Sequence, residues 1–411
     1  MKRRSFLMAA AGLAGLTGLH WRYWPEDGLY NECLADNMPD HLQQHPLIQQ
    51  ATAGLDFTRI WDNHVHLIGL GDQVNTLFAN PDMLSWQHPL KHIQFRFYMD
   101  ASCAGEQGQV DNGYMDRLRQ LVNDLPAGMK VMLLAFDYFH DERGQRDRKK
   151  SFFYTPNDYA ASITASDPQR FEWVASVHPY REDSIDRLEA AVAQGARAIK
   201  WLPEAMGIDP ASPRCIPFYQ TMQRLGLPLL SHAGHETAVG TEGSRESANP
   251  LVLRNALEQG TKVIVAHCAS LGTAADLDKG PGRSEKPCFD LFVRMMKEPQ
   301  YDGLLTGDIS AMLQLNRLDE PIKYLLLKED WHRRLINGSD YPLPGILPII
   351  PLKQIVRMGL LQQQQADVLS EVRRYNPLWF DLLLKRMLRW QGNGFANNVF
   401  ETRRHFMQST G

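Results

Sequence analysis

What this chain has little of narrows its reading first. Cysteine is scarce: Cys33, Cys103, Cys215, Cys268 and Cys288 are an odd set without a C-x-x-C pair, so their spacing specifies no disulfide framework. Charge of one sign is also lacking. The formal net charge is -3 over 411 residues, and no basic stripe interleaves with aromatics, which argues against nucleic acid and anionic lipid as partners. A short-period repeat is missing, which excludes a solenoid, and no Gly-rich phosphate turn follows an early strand, which disfavours a doubly wound sheet. What remains, 44% hydrophobic and 22% charged residues, is ample for a globular core.

The amino terminus departs from that soluble character. In MKRRSFLMAAAGLAGLTGL, Lys2, Arg3 and Arg4 precede an uncharged apolar run from Phe6 to Leu19, shorter than the roughly 20 residues a membrane span needs. This is the layout of an export signal, and Arg3-Arg4-Ser5-Phe6-Leu7 resembles a bacterial twin-arginine signal. Residues 1–25 are read as that segment. Delivery to the periplasm is expected, and since no small-x-small cleavage site follows, retention as an inner-membrane anchor stays open. Residues 26–58 read as an irregular lead-in and 391–411 as a docked or frayed tail.

Between these ends a rhythm sets in. Apolar runs suited to buried parallel strands recur at 59–68, 130–137, 171–178, 196–202, 228–232, 262–267, 303–309 and 334–340. Amphipathic segments lie between them: Ile185, Leu188 and Val192 share one helical face ahead of Gly195, and Asn249-Pro250 opens another segment that Gly260 closes. Eight strand-helix alternations predict an α/β fold, a (β/α)8 TIM barrel over residues 59–390. The barrel carries an insertion after strand 1, residues 69–128, long enough to act as a lid, and closing helices over 351–389.

The first run reads IWDNHVHLI. Strand alternation would place Asp62, His64 and His66 on one face and Trp61, Val65 and Leu67 on the other. Two imidazoles two residues apart can hold one metal ion, although a buried histidine with a hydrogen-bond partner is the commoner outcome for such a pair. Later runs close on ionisable groups as well, with Lys200 in AIKW, His232 in LLSHAG, His267 in VIVAHC and Asp340 in INGSDYP. Each of these groups stands at the carboxyl end of its strand, the face on which barrel enzymes assemble their sites.

This ordered set, with the local texture DNHVHL, IKWLP, SHAG, VAHC and NGSDYP, resembles the amidohydrolase superfamily, in particular its amidohydrolase-related branch of hydrolases and nonoxidative decarboxylases. The resemblance spans about residues 59–380. It implies that His64, His66 and Asp340 hold a divalent ion, zinc by the chemistry of the donors. It further implies that His232 and His267 hold a second ion in a binuclear site, with Lys200 bridging the two as a carboxylated lysine; in a mononuclear site His232 stays a ligand and His267 bonds substrate or water. The implied reaction is hydrolysis of an ester, lactone or amide-type carbonyl of a small molecule by a metal-activated hydroxide, with Asp340 moving the proton and Lys200 and His267 beside it. A single-metal nonoxidative decarboxylase and a non-catalytic exported metal-binding barrel are the alternatives.

Four further residues stand near the same strand ends. His178 is expected to contact substrate or to pack, His235 and Glu236 to reach substrate or cap the next segment, and Asp308 to orient a histidine or substrate. Asp62 is expected to orient a ligand from below. The mixed run 141–150 reads as a solvated loop with room for an anionic substrate. The partners expected are a small-molecule substrate and the twin-arginine export machinery, with homo-oligomerisation left open.

Overall fold

The computed structural model describes residues 28–34, 36–74, 76–236, 243–279 and 284–407; the segment read as a twin-arginine signal lies outside them. Each of the eight predicted runs contributes a strand: β1 (Trp61–His66), β2 (Lys130–Leu134), β3 (Phe171–Val174), β4 (Ile199–Trp201), β5 (Leu229–His232), β6 (Val263–Ala266), β7 (Leu305–Asp308) and β8 (Leu335–Ile336). They pair in parallel as β1-β2-β3 and as β4-β5-β6-β7-β8. Parallel bridges from Ala175 to Ile199 and from Val65 to Tyr341 join the two groups. His66 N donates to Tyr341 O at 3.0 Å and Lys200 N to Ala175 O at 2.7 Å, so the ring of strands closes and the fold is the (β/α)8 barrel.

One predicted face is wrong in an informative way. Trp61 and Asp62 pair with Lys130 and Val131, but Val65 and His66 pair with Leu133 and Leu134, so β1 carries one extra residue between Asp62 and Val65. Such a bulge reverses the side-chain alternation on either side of it. Trp61 therefore turns into the barrel, where it packs with Met132, Leu134, Val174, Ala198, Leu230, Ile264, Ala266, Ile336 and Phe406. Asp62 turns outward, where its carboxylate accepts the backbone N–H of Ser339 at 2.8 Å and of His64 at 3.2 Å. It fixes backbone and touches no ligand ring.

The barrel floor is thus filled by side chains, as in other barrels of this size, and the tail completes it. Phe406, from the segment read as a docked or frayed tail, is 2% exposed inside that floor. Just before it, Thr402 Oγ1 accepts Trp61 N at 3.0 Å and donates back to Trp61 O. The tail is docked.

The lead-in is more regular than its composition suggests. It contains the helix α1 (Pro46–Thr52), opened by the His45 ring that accepts Leu47 N, and a shorter helix, Asp40–Gln43. The insertion after β1 holds α2 (Pro89–Ser102) and α3 (Val110–Asn123). Lead-in and insertion are joined covalently, because Cys33 and Cys103 form a disulfide with a Cα–Cα distance of 5.6 Å. Spacing alone did not indicate this pair. The predicted helix after β3 is α4 (Ser184–Ala193). The segment after β5 begins as expected at Asn249, whose side chain accepts Leu251 N at 3.0 Å. Carboxyl-terminal helices α5 (Gln363–Tyr375) and α6 (Pro377–Met387) close the outer ring. Among the described residues no helix is long and apolar enough to cross a membrane.

Candidate metal centre and its pocket

The carboxyl ends of β1, β4, β5 and β6 bring His64, His66, Lys200, His232 and His267 to one buried floor, which Asp340 completes from just beyond β8. The backbone bends to allow it. His267, Cys268 and Ala269 have φ of 54°, 49° and 51°, and Asp340 has φ 62°, a left-handed region that costs non-glycine residues free energy and clusters at functional sites. Asp340 N donates to His64 O at 2.8 Å, which fixes the turn against β1.

Partners behind the rings of His64, His232 and His267 define which nitrogen faces inward. His64 Nδ1 donates to Asp308 Oδ2 at 2.8 Å, so its Nε2 presents an accepting lone pair toward the centre. There it lies 3.2 Å from Lys200 Nζ and 3.5 Å from Asp340 Oδ1. His267 Nδ1 lies 3.1 Å from the Ser310 carbonyl and 2.9 Å from its hydroxyl; a carbonyl only accepts, so Nδ1 carries the proton and Nε2 is bare, 4.0 Å from Asp340 Oδ2. His66 Nε2 is 3.0 Å from Asp340 Oδ1. His232 Nδ1 sits 3.4 Å from Glu236 Oε2, and its Nε2 is buried without a hydrogen-bond partner.

Electrostatics keep His64, His232, His267 and Asp340 in the form a metal needs. Burial, reinforced by the Lys200 ammonium, pushes the His64 pKa well below the ordinary histidine range, and burial with Arg317 does the same to His267. His232 is lowered to about 4 by burial, against the pull of Glu236. Burial would raise Asp340, but His64, His66 and Lys200 outweigh it and hold the carboxyl ionised. Lys200 is brought down to about 8 by burial, with Asp340 the chief opposing charge. Neutral imidazoles and an ionised carboxylate fit a divalent ion. His64, His66 and Asp340 place their ligand atoms within 4.8 Å of one another, and the orphaned His232 Nε2 is the kind of buried polar atom that an absent partner would satisfy.

Of the four expected contacts, His178 and His235 stay out of the pocket and Asp308 takes the ring-orienting place. His178 is committed at both nitrogens: Nε2 donates to Met206 O at 2.9 Å and Nδ1 accepts Tyr180 N at 3.2 Å. It packs near His140 and does not reach the pocket. His235 turns away from it, with Nε2 donating to Thr273 O at 3.1 Å. Asp308 is fully buried behind His64 and Ser310, so it orients a ring and does not meet substrate. Glu236 does line the pocket. Above the floor the walls are apolar, from Leu67, Phe136, Phe153, Leu202 and Leu343, with Tyr98 reaching in from α2. Arg317 and Gln314, on the loop after β7, also line it; the sequence reading missed both, since an Arg and a Gln three apart in a loop carry no motif.

A closed barrel with histidines and an aspartate gathered at its carboxyl-terminal face defines a class of metal-centred barrel enzymes. Comparison places the chain further: the family model described as Amidohydrolase matches residues 62–377, and the chain belongs to that family. The family is metal-dependent and holds both hydrolases and nonoxidative decarboxylases. No curated protein matches the chain. Solved structures similar to it include an uncharacterised TIM-barrel protein from Bordetella bronchiseptica, 14% identical over 73% of this chain and 90% of that one, TM-score 0.46. The 5-carboxyvanillate decarboxylase from Sphingomonas paucimobilis is 10% identical over 78% and 99%, TM-score 0.44. The 2,6-dihydroxybenzoate decarboxylase from Rhizobium is 14% identical over 69% and 87%, TM-score 0.38. Likeness of this degree says nothing of the substrate.

Proposed function

We propose that the protein is a metal-dependent hydrolase acting on an ester, lactone or amide-type carbonyl of a small molecule. The observation that carries this reading is the convergence of inward-facing imidazole nitrogens on the Asp340 carboxylate, each back-facing nitrogen of His64, His232 and His267 being met by Asp308, Glu236 or Ser310. His64, His66, His232 and Asp340 would hold the ion. When bound, it supplies Lewis acidity toward a carbonyl and toward water.

The chain's own groups divide the remaining work. Asp340, ionised and within reach of three imidazoles, accepts the proton of the attacking water and returns it to the leaving group. The Lys200 ammonium is a fixed charge beside His64, placed to stabilise negative charge that develops on the carbonyl oxygen. Bare at Nε2, His267 accepts a hydrogen bond from water or substrate, and the apolar walls exclude bulk solvent. A second ion bridged by carboxylated Lys200 is the alternative arrangement of the same floor.

Nonoxidative decarboxylation is a second reading, supported by the placement of the Lys200 ammonium 3.2 Å from His64 Nε2, where a point charge suits a substrate carboxylate. The test is elemental analysis of the wild type, His64→Asn/His66→Asn and Lys200→Ala, with a screen of esters, lactones, amides and aromatic acids. We expect one ion per wild-type chain, none in the histidine double variant with the fold retained, and carbonyl hydrolysis without release of carbon dioxide. Full occupancy in the double variant would refute the site. Carbon dioxide release would favour the decarboxylase, absence of any turnover the non-catalytic barrel, and two ions falling to one in Lys200→Ala the bridged arrangement.

We also propose export by the twin-arginine route to the periplasm. The Cys33–Cys103 disulfide supports this, because such bonds persist in oxidising compartments.

A further inference from the structure

We propose that the apolar groove running outward from the pocket, between α2 and the loops after β7 and β8, binds a neutral alkyl or acyl chain, so that the substrate carries such a chain beside its reacting carbonyl. The carbonyl rests on the function proposed above; the groove does not.

The pocket over the floor of the metal centre offers only about 70 Å³, room for a few water-sized groups. It admits a reacting group and little more. A second space of about 440 Å³, within the usual size of ligand sites, adjoins it, since Tyr98, Gln314 and Leu343 line both. A substrate larger than its reacting group continues past those three side chains into the groove.

Beyond them the walls come from Phe97, Leu315, Ile346, Pro348 and Ile349. Among the described residues no charged side chain lines the groove, and its polar lining is amide and phenol. A charged body would lose hydration there without a partner to replace it, whereas an apolar chain gains by leaving water. The outer end is open. Leu90, Gln94 and Phe97 stand at i, i+4 and i+7 on one face of α2, so Leu90, 67% exposed, carries the apolar wall a turn further toward solvent, and Leu315 at the rim is 41% exposed. One exposed leucine is ordinary, but two along a single groove mark a binding surface.

The walls are also held in place. Gly345 approaches α2 so closely that a Cβ there would collide with the Ala101 carbonyl oxygen, and Cys103, just past the helix, is tied to Cys33. A preformed groove takes a chain without the cost of ordering its own walls. A second copy of the protein or a membrane would also cover apolar surface, but continuity with the floor through Tyr98, Gln314 and Leu343 favours a substrate chain.

The experiment measures binding of 1-butanol, 1-hexanol and 1-octanol by calorimetry to full-length wild type, Leu315→Gln and Phe97→Ala, with melting temperature and light scattering on each, and follows turnover of p-nitrophenyl butyrate, hexanoate and octanoate. We expect each added methylene to tighten alkanol binding to wild type by about two- to fourfold, as burial of a methylene implies, and this gradient to flatten in both variants. In parallel, kcat/KM for the esters should rise with chain length. Should Phe97→Ala fail to fold, Leu315→Gln at the exposed rim carries the test. A gradient untouched by either variant overturns the proposal. So does a flat series in wild type, whether the groove is then covered by a second copy, seen as a dimer that Leu315→Gln dissociates, or by a membrane, seen as sedimentation with phosphatidylcholine vesicles. Ester turnover without any chain-length gradient refutes the groove and leaves the hydrolase standing, whereas an alkanol gradient without turnover of any ester keeps the groove and counts against the hydrolase.

Discussion

A histidine is readied to hold a metal when something behind it fixes its tautomer, and for His64 that partner lies far away in sequence. Asp308 is 244 positions from His64 yet meets its Nδ1 at 2.8 Å. Removing the negative charge while keeping the shape should therefore weaken the centre without unfolding the barrel. Asp308→Asn is expected to lower metal affinity by about 10- to 100-fold, the usual effect of losing such a partner. Competition with a chromophoric chelator measures this, and an unchanged affinity would show that Asp308 does not orient the ligand. His178 makes the opposite point. Its place at a strand end looked like a site, but two backbone partners within 3.2 Å use both its nitrogens. Residue type and position could be read from sequence, whereas the commitment of each nitrogen could not.

At the scale of elements, the eight apolar runs were legible because each strand is buried on both sides and therefore reads as continuous hydrophobic sequence. The bulge in β1 was not, since one extra residue leaves composition unchanged while it reverses the facing of Trp61 and Asp62. The lead-in was misread for a related reason: helices as short as Pro46–Thr52 owe their order to packing more than to their own propensity. Its attachment to the insertion after β1 is open to test. The Cys33–Cys103 bond closes a separation of 70 residues and lies at the carboxyl end of α2, whose Tyr98 lines the pocket. Chain entropy for a loop of that length gives about 4 kcal/mol. Cys33→Ser/Cys103→Ser, or mild reductant, should lower stability toward urea by up to that amount and loosen hydrogen-exchange protection in α2 ahead of the barrel strands. If protection in α2 is unchanged, the bond does not hold the insertion in place.

The described residues form one barrel. The chain's carboxyl end is structural, with Phe406 sealing the floor under Trp61. Its amino end carries Arg3 and Arg4, which we propose as an address for export of the folded protein. Changing both to lysine should leave the protein in the cytoplasm, because a route that reads guanidinium groups is not served by the ammonium of lysine. Fractionation after induction measures this; unchanged periplasmic delivery would point to the general secretory route.

By itself the sequence determined the barrel class, the order of its strands and the chemical types brought to their carboxyl ends, because burial periodicity and strand-end position are local properties of the chain. Which of those groups meet was decided only by tertiary structure. Closing the barrel joins β1 to β8 and sets Asp340 beside His66, the tail plugs a floor that no local pattern implied, and the loop after β7 leaves Arg317 buried in the pocket with its Nε unpaired. Contacts of this kind depend on distances between residues up to hundreds of positions apart, which only the closed fold fixes.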